Sequence, residues 1–137
     1  MRGVLFASLS LAACSVEPGP EEAPQALATS FKNIAIIDRP DWPTPDSFAT
    51  GRLIIDGPCL LFETDEGTRF NPIFPARTTL RRDTAGRLAV SIRGRTIAQG
   101  ETVTVKGGSG EYGRVGSLDP SCADRNFIIG GLREQAV

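Results

Sequence analysis

The sequence contains no histidine, and this removes the commonest general base and the commonest metal ligand of proteins. Its formal net charge is only -1 at pH 7, so it lacks the strong positive field that nucleic-acid binding requires. No apolar run approaches the roughly 20 residues of a membrane-spanning helix. What is present is a chain of 137 residues, 40% of them hydrophobic, which is enough for one domain with a core.

The N-terminus has an arginine, then an apolar stretch over residues 3–13, then a cysteine, Cys14. This order is typical of a secretion signal. The segment Leu11-Ala12-Ala13-Cys14 resembles the lipobox of bacterial lipoproteins. That resemblance implies cleavage before Cys14 and acylation of its thiol, which would anchor the mature protein in a membrane. The alternative is a cytosolic chain whose N-terminal helix contains a cysteine.

The segment after Cys14, SVEPGPEEAPQ, is rich in proline and glutamate. Such a composition cannot bury enough apolar surface to fold and is typical of a tether. We therefore divide the chain into a signal peptide (1–13), a lipid anchor with a flexible tether (14–30) and a folded domain (31–137). By resemblance to Gram-negative lipoproteins, Ser15 beside the acylated cysteine favours the periplasmic face of the outer membrane.

Two cysteines, Cys59 and Cys122, remain once Cys14 is assigned to lipid. An extracytoplasmic compartment permits disulfides, and two leftover cysteines most simply pair with each other. The alternative is two buried free thiols. A zinc site is disfavoured because the pair lacks CxxC spacing and no histidine completes a tetrahedral set.

The folded part of the chain shows short apolar runs between turn residues and no sustained helical period. Residues 87–93 alternate Leu88, Val90 and Ile92 with polar or small residues, as a half-buried strand does. About six to eight such strands predict an all-β domain, either a small, partly open barrel of the OB type or a compact sandwich. Pro72 predicts that its strand lies at an edge or a bulge. The predicted strands occupy 32–37, 51–56, 59–63, 69–74, 87–93, 102–106 and 126–131.

The stretch from Gly51 to Gly131 resembles a family of small uncharacterised extracytoplasmic bacterial domains. The shared pattern consists here of GRLIIDGPCLLF, NPIFPA, GETVTVKGG, a second cysteine and NFIIGG. These motifs are structural, so the resemblance implies a compact β domain and no particular activity.

The segment Gly108 to Gly113 matches the GxGxxG pattern of dinucleotide-binding sites. That site needs a following helix whose N-terminus holds the pyrophosphate. Gly116 and Pro120 interrupt any helix here. We therefore interpret the segment as a glycine-rich loop and expect no cofactor.

The proline-rich loop DRPDWPTPD (38–46) gathers Asp41, Trp42 and Asp46. Its acids are either solvated loop residues or a carboxylate pair for hydrolysis, and Trp42 either packs on the domain or anchors a partner. Arg87 and Arg93 share the polar face of their predicted strand, as part of a charged outer face or as contacts for an anionic partner.

These observations predict a membrane-anchored extracytoplasmic lipoprotein whose non-catalytic β domain binds a protein or a cell-envelope polymer. Trp42, Asp41, Asp46, Arg87 and Arg93 are its candidate binding residues. We expect no metal and no nucleic acid as a partner. The alternative is a small hydrolase that uses the loop carboxylates.

Overall fold

The computed structural model describes residues 30–37, 44–109 and 118–133, which contain nine strands and no α-helix. No helix in these ranges is long and apolar enough to cross a membrane. The strands are β1 (Ala35–Ile36), β2 (Phe48–Asp56), β3 (Cys59–Thr64), β4 (Arg69–Phe74), β5 (Thr79–Arg82), β6 (Leu88–Ile92), β7 (Arg95–Ala98), β8 (Val103–Ser109) and β9 (Asn126–Leu132).

Five of these strands form a closed barrel in the order β4-β3-β2-β8-β9. Neighbours are antiparallel except for the parallel pair β4 and β9, which closes the ring. Strand β1 adds to β4 in parallel outside the ring. The predicted all-β class and small barrel are therefore confirmed, and full closure leaves no free barrel edge among these five strands.

Strands β5, β6 and β7 form a second, antiparallel sheet. Its inward row, Leu80, Val90 and Ile97, is buried in the same apolar cluster as barrel residues such as Leu53 and Phe62. Leu88, Val90 and Ile92 of β6 are fully buried, as predicted, and Ala89 between them is also buried. Strands β5 and β7 were not predicted, because each has four residues and too short a pattern to recognise.

The position predicted for Pro72 is wrong, because β4 is an interior strand with partners on both sides. Its pairing with β3 ends at Phe70, and its pairing with β1 begins at Ile73. Pro72 lies between these two partners, where a missing N–H donor interrupts neither ladder. The proline thus marks the point at which β4 exchanges one neighbour for another.

Two glycines allow close approach of barrel strands. A Cβ atom on Gly107 would overlap the carbonyl oxygen of Ile128, and one on Gly51 would overlap the carbonyl oxygen of Glu63. The register between β8 and β9 shifts at Gly107, as at a β-bulge that bends a strand. The absence of a side chain at these positions therefore allows the sheet to curve into a narrow ring.

Cys59 and Cys122 form a disulfide, with their Cα atoms 5.6 Å apart. The predicted pairing is confirmed. The bond joins the start of β3 to the loop that precedes β9, across a sequence separation of 63 residues. It therefore fixes the segment from which the closing strand of the barrel begins.

Candidate functional site

Of the five candidate binding residues, the structure describes Asp46, Arg87 and Arg93. Asp46 is 92% exposed and lies 3.7 Å from Lys106. Arg87 pairs with Asp83 before β6 begins, whereas Arg93 lies in the turn after β6 ends. The two arginines thus lie beyond opposite ends of one strand and not on one continuous polar face. Asp41, Trp42 and Cys14 lie outside the described residues.

A cavity of about 390 Å³ lies where the end of β1, the β4–β5 turn, the β6–β7 hairpin and β9 meet. This volume falls in the range of small-ligand sites. The wall has apolar, hydroxyl and cationic parts, which include Ile37, Ile129, Thr44, Ser91, Arg77 and Arg93. Ile37, which precedes the loop 38–46, and Thr44, which belongs to it, both line this cavity.

Thr44 fixes one side of the cavity against β9. A Cβ atom on Gly130 would overlap the side chain of Thr44, so the threonine packs directly on the glycine backbone. Any larger residue at position 130 would displace Thr44. The absence of a side chain at Gly130 therefore makes room for Thr44 against β9.

Arg77 occupies a turn position that normally holds glycine. The backbone N–H of Thr78 donates to the carbonyl oxygen of Pro75 at 3.3 Å, and the Thr78 hydroxyl donates to the same oxygen at 2.7 Å. Arg77 is the third residue of this turn and has a φ of 67°. A positive φ at this position is typical of a type II turn, where glycine or asparagine is preferred. An arginine there costs about 1 kcal/mol in backbone strain.

Arg93 occupies a similar position in the β6–β7 hairpin. The paired residues Ile92 and Arg95 leave a two-residue loop in which Arg93 has a φ of 49° and Gly94 a φ of 84°. Positive φ at both central positions defines a type I′ hairpin, which prefers asparagine, aspartate or glycine at the first. Among the described residues, Arg77 and Arg93 are the only non-glycine residues with positive φ, and both line the cavity.

Arg77, Ser91 and Thr44 were not predicted as site residues from the sequence. The turn at Arg93-Gly94 was predicted, but not the significance of an arginine where a hairpin prefers asparagine. The arginine at a turn position that prefers asparagine was the feature of the sequence that could have identified Arg93 as a cavity residue. The segment Pro75-Ala76-Arg77-Thr78 carries no comparable signal, because its positive φ is visible only in the structure.

A second cluster joins a serine, a lysine and an aspartate near the disulfide. The Lys32 ammonium lies 3.1 Å from an oxygen of Asp119 and donates to the Ser121 hydroxyl at 3.0 Å. The Ser121 hydroxyl donates to Asp119 at 2.7 Å. The Ser121 N–H also donates to the Asp119 carboxylate, at 2.9 Å.

This cluster resembles a serine–lysine pair in composition but not in environment. A lysine acts as a general base when desolvation favours its neutral form. The Lys32 side chain is 47% exposed and faces a carboxylate, so it lacks the desolvated environment that a lysine base requires. We therefore interpret the cluster as a clamp that holds residue 32 against the loop containing Cys122. The described residues also contain no group of three or more acidic or cysteine side chains arranged to hold a metal ion.

The clamp predicts an acid-sensitive contribution to stability. Hydrogen bonds from Ser121, helped by the Lys32 ammonium, lower the pKa of Asp119 from 3.8 to about 2. A lowered pKa in the folded state means that ionised Asp119 stabilises the fold above about pH 4, and that this contribution disappears as the pH falls towards 2. We expect Asp119→Asn to be less stable than the wild type at pH 6 and the difference to shrink by pH 2, in urea denaturation at both pH values. Asp124→Asn, which changes an exposed acid in the same loop, should show no such convergence; an equal effect there would contradict the assignment.

The chain was also compared with models of known families, with curated proteins and with solved structures. None of the three comparisons finds a match.

Proposed function

We propose that this chain is a lipid-anchored, extracytoplasmic binding protein. Its β domain acts without catalysis and holds a protein or cell-envelope partner near a membrane surface, which in a Gram-negative cell is the periplasmic face of the outer membrane. The order of signal, lipobox and tether supports the anchoring, and the cavity beside Arg77 and Arg93 supports the binding.

The cavity is the observation on which the binding role depends. It combines apolar walls with a few polar groups, the composition of small-ligand sites in general. It also contains the two non-glycine residues with positive φ in the described structure, and backbone strain of this kind clusters at functional sites. A purely structural domain would gain by replacing both arginines with residues that suit their turns.

The anchor is tested by a Cys14→Ser variant expressed in a bacterial host with lipoprotein processing. Loss of the thiol removes the acylation site, and a chain without acyl groups has no stable hold on a bilayer. We expect the wild type to partition into the detergent phase and the variant to lose this partitioning. Mass spectrometry of the wild type should show an acylated Cys14 at the N-terminus, and an unmodified Cys14 would refute the anchor.

The binding role is tested by filling the cavity and measuring partner capture. Ser91 lines the cavity from β6, and its register partner Thr96 lies on the same face of the sheet but outside the cavity. We expect Ser91→Tyr to reduce crosslinked capture of a partner by the intact lipidated protein in its native envelope at least tenfold. Thr96→Tyr, the same change on the neighbouring strand, should leave capture unchanged. Equal capture by all three proteins would show that the cavity does not bind the partner.

A further inference from the structure

We infer that the cavity recognises an oxyanion, a carboxylate or phosphate group, through Arg77 and Arg93. This inference rests on the proposed binding function and adds the chemical class of the ligand. The two arginines approach the cavity from separate elements, the β4–β5 turn and the β6–β7 hairpin. Two arginines that line one small cavity can supply paired guanidinium N–H donors, and carboxylate and phosphate oxygens match that donor geometry.

The residue types at these two turns point to the same conclusion. Each turn has a backbone conformation that favours glycine or asparagine, and each has an arginine instead. A long cationic side chain does not improve either turn. The presence of an arginine at each of two strained positions on one cavity is explained if its side chain has a role in the cavity.

The charge environment of the two arginines is compatible with a ligand. The Arg77 side chain has no ion-pair partner among the described residues, so its charge is uncompensated within that part of the protein. Arg93 makes an interaction within the chain, but a guanidinium has several N–H donors and can hold a ligand in addition. Thr44 and Ser91 also line the cavity, and their hydroxyl groups can add short polar contacts to a ligand.

The apolar residues that line the cavity indicate the chemical nature of the rest of the ligand. Ile37, Pro75 and Ile129 line the cavity together with the arginines. A small anion alone would leave this surface without contacts, whereas a group with an apolar portion beside its acid would cover it. The expected ligand is therefore an acidic group carried on a less polar body.

The inference is tested with acetate, inorganic phosphate and acetamide as probes of the full-length chain. The readout is the shift of the Gly94 and Gly130 backbone amide signals in nuclear magnetic resonance spectra, because both glycines line the cavity. We expect acetate, phosphate or both to shift these signals in a saturable way, and neutral acetamide to leave them unchanged. Saturation by acetate alone would identify a carboxylate site, and saturation by phosphate alone would identify a phosphate site.

Three variants separate a charge effect from a folding effect. Arg77→Gly and Arg93→Asn introduce the residue that each turn prefers, so we expect each to keep or raise the melting temperature and to weaken oxyanion binding at least tenfold. Arg81→Ala removes the same charge from an exposed residue of β5 outside the cavity, and should change binding less than twofold. Together these results would establish that the two arginines are present for binding and not for stability.

The inference would be overturned if no oxyanion shifted the Gly94 and Gly130 signals, or if the shifts persisted in Arg77→Gly and Arg93→Asn. It can fail while the proposed function holds. In that case Ser91→Tyr would still abolish partner capture, and the cavity would bind a neutral group. If Ser91→Tyr also left capture unchanged, the proposed function would fail with it.

Discussion

Replacing both disulfide cysteines, as Cys59→Ala with Cys122→Ala, is expected to lower the free energy of unfolding by about 4 kcal/mol, the value that the chain-entropy model gives for a loop of this length. The bond spans 63 residues of separation, so it restricts most of the folded domain in the unfolded state. Such a loss is a large fraction of the roughly 5–15 kcal/mol that stabilises a typical domain.

The effect is measured by urea denaturation at neutral pH with and without a reducing agent. Reduction should destabilise the wild type by about as much as the double substitution and should not affect the double variant further. Denaturation of Asp119→Asn under reducing conditions would give the contribution of the Lys32–Asp119–Ser121 clamp to stability separately from that of the disulfide. A loss smaller than about 1 kcal/mol would show that the reduced, unfolded chain is already constrained by other means.

Replacing Asn33 by leucine is expected to lower the free energy of unfolding by about 3 kcal/mol, because several buried polar groups would lose their partners at once. Asn33 is completely buried. Its side-chain amide donates to the Leu60 carbonyl oxygen at 2.6 Å and to the Asn71 side-chain oxygen at 2.9 Å. Its own oxygen accepts the Leu60 N–H at 2.9 Å.

The position of Asn33 explains why leucine cannot replace it. Strand β3 pairs with β4 only at Phe62 and Glu63, so the backbone of Leu60 has no strand partner on that side. The Asn33 side chain supplies both the donor and the acceptor that a strand would have provided. Leucine has a similar volume but leaves the N–H and carbonyl groups of Leu60 buried and unpaired.

The Asn33 prediction is checked by chemical denaturation of Asn33→Leu beside Asn126→Ala. Asn126 is only half-buried and accepts a single hydrogen bond from Asn71, at 3.2 Å. Its replacement should therefore cost no more than about 1 kcal/mol. An Asn33 variant as stable as the wild type would mean that water or a local shift satisfies Leu60.

The fold class was accessible from sequence because the strand pattern is local. The alternation of Leu88, Val90 and Ile92 with polar or small residues depends only on the two-residue period of a strand. The disulfide was accessible too, since only Cys59 and Cys122 remained once Cys14 had been assigned to a lipid anchor. The order in which the strands pair was not accessible, because pairing between β4 and β9 joins segments about 55 residues apart in the chain.

The candidate site was less accessible than the fold. Trp42, Asp41 and Asp46 were predicted as binding residues because of their residue types. In the described structure, the Asp46 side chain is exposed to solvent. The cavity residues Arg77, Ser91 and Thr44 come from three distant segments of the chain. These residues come together only when the chain folds, so no spacing pattern in the sequence indicates that they line one cavity.

The sequence by itself determined the all-β class, the cysteine pairing and the turn between Arg93 and Arg95, because composition and short-range backbone preference are sufficient for each. Three features were decided by tertiary structure alone. Strand β4 is interior despite Pro72, and the Asn33 side chain makes the hydrogen bonds to Leu60 that a neighbouring strand would have made. Arg77 and Arg93 line one cavity. These three outcomes depend on which distant segments meet when the barrel closes. Contacts of that kind arise from the packing of the whole domain and not from the preferences of any single segment.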